Sequence, residues 1–317
     1  MARTVSELGE RGVVELVASL LPSAPAGEVW TGDDAAVIAA GATLITTDTM
    51  VEGIDFDLSY CDGFDLGWKV TAINVSDIAA MGGRPSRAVA TLALPASTPV
   101  EVVEEVGRGL AAAAREWDLS VVGGDVSSAP SITIGMTVLG SAATPITRRG
   151  ARPGDVIRLT GSVGGSWGGL RVLQRGLGDR APGLVRRHLR PRARVEEGAL
   201  LAVSGARAMI DVSDGLAIDL ARLMRASGTG CRVDPASVPV DPDLPVLVGL
   251  DLARDDTLLR SAILGGEDFE LLAAVPPDAD APGTVIGEVT EDRAMRFGDD
   301  DMEELGRDEG WDHLRGR

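Results

Sequence analysis

The sequence predicts an α/β protein made of two mixed α/β domains with a cleft between them. Three observations carry that expectation. The 317 residues suffice for two separate cores. In both halves, short β-branched apolar runs alternate with longer segments of helical periodicity. Between the halves lies Thr147–Asp155, TRRGARPGD, whose Arg, Gly and Pro content suits a connection. The expected domains are therefore residues 1–147 and 148–317.

The elements follow in order. Val13–Leu21 has helical spacing and stops at Pro22. Thr43–Thr47 is a short β-type run that ends at Asp48. Phe64–Met81 predicts a helix with Asp65 as N-cap, an apolar stripe through Val70, Ile73 and Met81, and a stop at Gly82–Gly83. Ala88–Leu94 predicts a strand, and Pro99–Trp117 an amphipathic helix with Val102, Val103, Val106 and Leu110 inward. Leu119–Val122 predicts a strand running into Gly123–Gly124–Asp125, and Ser131–Leu139 completes a sheet. In the second half, Val156–Thr160 predicts a strand, Gly161–Gly169 a glycine turn, and Leu170–Gln174 a helix. Ala208–Ile210 and Phe269–Val275 predict strands, and Leu216–Met224 a helix with Leu216, Leu220, Leu223 and Met224 on one face.

Composition narrows the chemistry. Apolar residues make up 44% and charged residues 25%, ordinary for a globular chain. No apolar run approaches the ~20 residues a membrane helix needs. The polar start MARTVSELGERG does not resemble a signal peptide, so a cytoplasmic protein is expected. Cys61 and Cys231 show no pairing pattern and fit buried thiols in a reducing compartment. The net charge of −18 argues against a nucleic-acid partner. Asp299–Asp300–Asp301 with Glu303 and Glu304 reads as solvated surface.

The chain has one lysine, Lys69, and two histidines, His188 and His313. A P-loop needs Gly-Lys-Ser/Thr, whereas Lys69 stands in Trp68-Lys69-Val70. The strand lysine and HRD loop of protein kinases are missing too, and zinc ligands at usable spacing are lacking. Chemistry therefore rests on carboxylates, arginine, hydroxyls and backbone amides.

Acidic side chains recur among Gly, Ser and Thr at the ends of apolar runs. These are GDDAA (Gly32–Ala36), TTDT (Thr46–Thr49), NVSD (Asn74–Asp77), GGD (Gly123–Asp125), DVSDG (Asp211–Gly215) and GGED (Gly265–Asp268). Several carboxylates converging on one cleft require a counter-cation, which points to a divalent-metal site that handles phosphates. Each motif alone has a plainer reading. Asp33 and Asp34 fit a turn. Asn74 and Asp77 project from one face of a buried helix, as a salt bridge or as metal ligands. GGD lets backbone amides approach a phosphate while Asp125 reaches its metal. In DVSDG, Ser213 or Asp214 occupies a helix N-cap position, but capping does not account for Asp211 and Asp214 together. Glu267 and Asp268 fit either recognition groups or a turn. Gly161–Gly169 is either an anion cradle or an ordinary glycine turn. Arg148 and Arg149 reach a nucleotide phosphate or are connector charges. Trp311 is a packing anchor for the tail or a stacking platform.

In this order the motifs GDDAAV, TTDTMVEGIDF, KVTAINVSDIAAMGGRP, VVGGDVSS, TRRGARPGD, HLRP, IDVSDGL, GGEDFEL and GWDHL resemble the thiamine-monophosphate kinase family. That family belongs to a superfamily with aminoimidazole ribonucleotide synthetase, selenophosphate synthetase and HypE. The resemblance covers nearly the whole chain. It implies ATP- and Mg-dependent phosphorylation of thiamine monophosphate to the diphosphate, by direct in-line transfer, in a homodimer whose N-terminal sheets join. It further implies that Asp34, Thr46, Thr47, Asp48, Asp77, Asp125 and Asp211 hold magnesium ions, with Asp214 on a further one. Gly124, Asp125, Arg148, Ser213 and Arg108 would contact ATP, and Asp55, Glu267 and Trp311 the thiamine phosphate. Asp55 stands where relatives often carry histidine. The competing expectations are another ATP-using enzyme of the superfamily, a two-metal phosphohydrolase, and a non-catalytic acidic module.

Overall fold

A computed structural model describes residues 27–29, 33–38 and 43–302. The predicted helix at 13–21 and Trp311 lie outside the described residues. The first half is a five-stranded sheet in the order β1-β2-β5-β3-β4. Its strands are β1 (Ala36–Ile38), β2 (Thr43–Val51), β3 (Arg84–Leu94), β4 (Ser120–Ser128) and β5 (Thr133–Ser141). All pairs are antiparallel except β3 with β4. Among the described residues of this half, two helices, α1 (Gly63–Ala80) and α2 (Val100–Glu116), accompany the sheet.

The second half is a seven-stranded sheet in the order β12-β11-β8-β10-β6-β9-β7. Its strands are β6 (Val156–Leu159), β7 (Ala208–Asp211), β8 (Gly230–Val233), β9 (Leu271–Val275), β10 (Thr284–Thr290), β11 (Met295–Phe297) and β12 (Asp300–Asp301). Its helices are α3 (Gly165–Leu173), α4 (Pro182–Leu189), α5 (Val195–Val203), α6 (Leu216–Ser227), α7 (Val246–Gly249) and α8 (Leu258–Leu264).

Helix α1 is the hinge of the architecture. It packs on β2 and β5 and also meets α5 and β7 of the second half, so most of its length is buried. That explains why its apolar residues wrap the whole surface instead of forming the expected stripe. Asp62, not Asp65, is the N-cap. Asp62 accepts from the Asp65 amide at 2.8 Å, and the Asp65 side chain reaches back to the Asp62 amide in a capping box. Asp65 also takes an ion pair from Arg190 at 2.5 Å. Helix α2 lies against α1 at close range: a Cβ on Gly109 would sit 2.1 Å from the Phe64 carbonyl oxygen. Only glycine permits that approach. A small bridging cluster of Ala80, Leu201, Met209, Leu271 and Val275 joins the cores of the two halves.

Three local expectations are corrected, and the connection between the halves gains an anchor. Gly123–Gly124–Asp125 is not a loop after a strand but the middle of β4, where Gly124 pairs with Ala90 so closely that a Cβ would stand 1.9 Å from the Ala90 carbonyl oxygen. The glycine turn is mostly helix, because α3 begins at Gly165. The N-cap of α6 is Gly215 at φ 123, so neither Ser213 nor Asp214 caps it. Thr147–Asp155 is pinned at its centre: Ser227 Oγ donates to the Arg148 carbonyl and accepts from the Gly150 and Ala151 amides.

Candidate active site

Three carboxylates from three separate elements meet between the halves. Asp34 follows the turn before β1, Asp77 lies on the last turn of α1, and Asp211 ends β7. One oxygen of each lies within 4.8 Å of the others. Asp34 is 8% exposed and Asp211 2%. Burial, with Asp48, Asp211 and Asp34 around it, pushes the Asp77 carboxyl well above the carboxylate range. Burial and then Asp34 do the same to Asp211. Such a cluster calls for a cation.

The surrounding groups fix the cluster. Thr46 Oγ1 donates to Asp77 at 2.5 Å, and Ser76 Oγ donates to Asp211 at 2.6 Å. Arg148 presents its Nε and Nη2 to the two Asp34 oxygens at 3.1 and 2.8 Å, and its amide donates to Asp33 at 2.9 Å. Burial alone would lower the Arg148 pKa, but the Asp34 charge and hydrogen bonds together with the Asp33 and Asp211 charges outweigh it and raise the pKa. Burial and the neighbouring Asp34 charge push Asp33 up to about 6. Asn74, beside Asp77, accepts from the Asp48 amide at 3.0 Å and so ties β2 to α1.

The other expected site residues are distributed as follows. Asp48 is close enough to raise Asp77. Thr47, one residue along β2, faces the other way and donates to the Met136 carbonyl at 3.0 Å, as strand alternation demands. Gly124 and Asp125 are exposed on β4, three strands from β2 across the sheet, roughly 14 Å by strand spacing. Asp125 is not among the three carboxylates that lie within 4.8 Å of one another. Asp214 pairs with Arg222, and Ser213 is held by its amide on Asp219 at 3.0 Å. Arg108 is exposed on α2 and pairs with Glu104 at 3.5 Å. Asp55 accepts from the Val51 amide at 2.7 Å and, with Tyr60, Asp65, Lys69 and His188, lines a small, partly open recess. Glu267 meets Lys69 at 2.9 Å.

Several contributors carry weak sequence signals. Asp219, in the first turn of α6, receives the amides of Ser213, Asp214 and Gly215 at 3.0, 2.9 and 3.1 Å. It fills the anion-binding end of the helix with the chain's own carboxylate. Asp268 does likewise for α3, accepting from Gly164 at 2.7 Å and Ser166 at 3.2 Å. The glycine cradle is thus occupied by a side chain rather than open to a ligand. Burial lifts the Asp268 pKa to about 8. Its folded pKa exceeds its unfolded one, so stability from this group is present below about pH 4 and is lost as pH rises toward 8. The parent protein should therefore lose urea stability between pH 6 and 8, and Asp268→Asn should flatten that loss. An unchanged pH slope would show that Asp268 is ionised throughout.

A buried carboxylate triangle joined by arginine, set between two mixed α/β halves, concentrates negative charge that Arg148 only partly offsets. The chain matches the families described as AIR synthase related protein, N-terminal domain, over residues 32–142 and AIR synthase related protein, C-terminal domain, over residues 152–300. It is 33% identical to a thiamine-monophosphate kinase of Synechococcus elongatus, with 98% of each chain covered. It is 37% identical to that of Escherichia coli K12, covering 84% of this chain and 85% of the relative. A solved structure of AaThiL complexed with AMPPCP and TMP superimposes with a TM-score of 0.89 at 31% identity, covering 99% of both chains. Escherichia coli HypE shares the fold at 20% identity and a TM-score of 0.65. The chain belongs to the thiamine-monophosphate kinase family.

Proposed function

We propose that this protein transfers the γ-phosphoryl group of ATP directly to the phosphate of thiamine monophosphate, giving thiamine diphosphate. The observation that carries this reading is the convergence of Asp34, Asp77 and Asp211 beside Arg148. It is supported by the likeness to a structure that holds AMPPCP and TMP.

The donor set suits magnesium: hard carboxylate oxygens, the Thr46 hydroxyl nearby, and no soft ligand among them. Asp34, Asp77 and Asp211 would hold the ion, with Asp48 and Thr46 beside them and Asp214 available for a further one. Bound magnesium supplies charge neutralisation between donor and acceptor phosphates. The chain's own residues do the rest. Arg148 offers a planar fork to a nucleotide phosphate. Asp55, at the recess, and Glu267, held by Lys69 and His188, orient the thiamine portion, and Trp311 belongs to that group by family resemblance. By family resemblance Ser213, Gly124, Asp125 and Arg108 complete the nucleotide assignment, and Thr47 and Asp125, which stand outside the Asp34–Asp77–Asp211 triangle, would serve a separate metal ion. The acceptor is a phosphate monoester with a second pKa near ~6, already mostly ionised at neutral pH, so no residue is required as general base.

The division into 1–147 and 148–317 is retained, with ATP and metal binding centred on the first domain. The likeness to the kinases also supports a homodimer. All nine residues of β4 are exposed, and Val122 and Val126, on one face, are 62% and 70% exposed, a surface that a second copy of this sheet would cover. The reaction belongs in the cytoplasm, where the unpaired thiols of Cys61 and Cys231 stay reduced. No described helix is long and apolar enough to cross a membrane.

Incubation with ATP, Mg²⁺ and thiamine monophosphate tests the reading. The expected products are ADP and thiamine diphosphate in equal amounts. Release of inorganic phosphate without thiamine diphosphate would instead identify a phosphohydrolase.

A further inference from the structure

The one lysine of the chain lies outside the metal cluster, yet it is 4% exposed and reaches across the interface between the halves. Lys69 Nζ meets both oxygens of Glu267, at 2.9 and 3.0 Å. A buried ammonium survives only with such a partner. Glu267 itself is held in an unusual way. Its backbone is left-handed at φ 64, and its amide donates to the Ser213 carbonyl at 2.7 Å. A left-handed backbone is strained for a non-glycine residue, so the surroundings must hold it there. His188 Nδ1 lies 3.3 Å from Glu267 Oε2 and 3.0 Å from Ser166 Oγ. Burial, and then Lys69, push its pKa down to about 3, so at neutral pH the ring is uncharged and Lys69 is the charge that faces Glu267. Lys69 and His188 both line the recess that holds Asp55.

We propose that Lys69 is a positioning residue: it holds the Glu267 carboxylate beside His188 and thereby sets the affinity for the organic part of the phosphate acceptor. This rests on the reading above that the acceptor is thiamine monophosphate. Lys69 lies eight residues before Asp77 on α1, about 12 Å along the axis. One helix therefore anchors the acceptor side and the metal side, while Glu267, through Ser213, is tied to the loop that follows Asp211.

Steady-state kinetics on the full chain test this, with Lys69→Met, Lys69→Arg, Glu267→Gln and the Lys69→Met/Glu267→Gln double variant. Lys69→Met should raise the KM for thiamine monophosphate about tenfold or more and leave that for ATP within about twofold. Lys69→Arg should recover part of the loss. The double variant should match Glu267→Gln alone, because Lys69 acts through that carboxylate. Multiplying effects, or an equal rise in both KM values, would overturn the proposal. A readout on the unaltered protein guards against misfolded variants. With ¹³Cε-lysine, the chain gives a single side-chain signal, which should shift on adding thiamine monophosphate and not on adding AMPPCP with Mg²⁺. A signal insensitive to the acceptor in a protein that turns it over would refute the role of Lys69 alone. A parent protein that makes no thiamine diphosphate would remove the functional reading as well.

Discussion

Asp211→Asn should abolish thiamine diphosphate formation while making the magnesium-free protein more stable. Asp211 is 2% exposed and sits against Asp34 and Asp77. Asparagine preserves its shape and can still accept from Ser76, which donates at 2.6 Å in the parent. What disappears is one negative charge. Two carboxylates ~5 Å apart repel by about 3 kcal/mol at an effective dielectric near 20. The metal-free variant should therefore gain on the order of 1–3 kcal/mol. The sign follows from linkage: the folded pKa of Asp211 is raised, so the parent loses stability as pH climbs above the usual carboxylate range. The gap should be widest at alkaline pH and close below about pH 4. Magnesium should reverse the order, because it stabilises the parent in proportion to its binding. Loss of a metal ligand worth several kcal/mol in the transition state predicts a fall of about a thousandfold or more in kcat/KM. Turnover assays and urea titrations with EDTA or Mg²⁺ check both arms. Near-normal turnover would show that Asp211 is not a ligand.

Arg148→Met should have the opposite effect on stability. Arg148 grips Asp34 through two hydrogen bonds at 3.1 and 2.8 Å, and the Asp34 side chain is 1% exposed. Removing the guanidinium leaves a buried carboxylate without that partner, which costs about 3–5 kcal/mol. Magnesium should restore part of that loss by replacing the missing positive charge. The KM for ATP should rise about a hundredfold, since the planar fork toward a phosphate is gone. Arg148→Lys should keep much of the stability but little of the nucleotide affinity, since an ammonium cannot reproduce a bidentate contact. An unchanged KM for ATP in either variant would remove Arg148 from the nucleotide site and leave it a structural counter-ion.

The core of the candidate site was legible because its carboxylates stand at the ends of recognisable runs. Asp34 precedes a strand, Asp211 ends one, and Asp77 follows a helical apolar segment. Hydrophobic periodicity places α1 and β7, whereas the short β1 after Asp34 reads only as a turn and an apolar segment, and family resemblance ties Asp34 to the other two. What resisted reading was long-range or back-reaching. Asp219 lies inside its helix and satisfies amides four to six residues earlier, a contact without a distinctive local pattern. Asp268 fills a glycine-rich helix start about a hundred residues away in sequence, so the sequence shows an empty cradle where the fold has a filled one. Glycines normally weaken strands, which made GGD look like a loop; the close approach of β3 accounts for Gly124 inside β4. Lys69 and His188 looked ordinary because their common partner, Glu267, comes from the far half.

The central claim is that both halves jointly hold a divalent cation. Crystals grown with AMPPCP and Mn²⁺, measured at the manganese absorption edge, test it most directly. The account predicts an anomalous peak bonded to a carboxylate oxygen of each of Asp34, Asp77 and Asp211, with Arg148 turned toward the nucleotide phosphates. Manganese bound elsewhere, with Arg148 still closed on Asp34 and the three carboxylates bare, would contradict it.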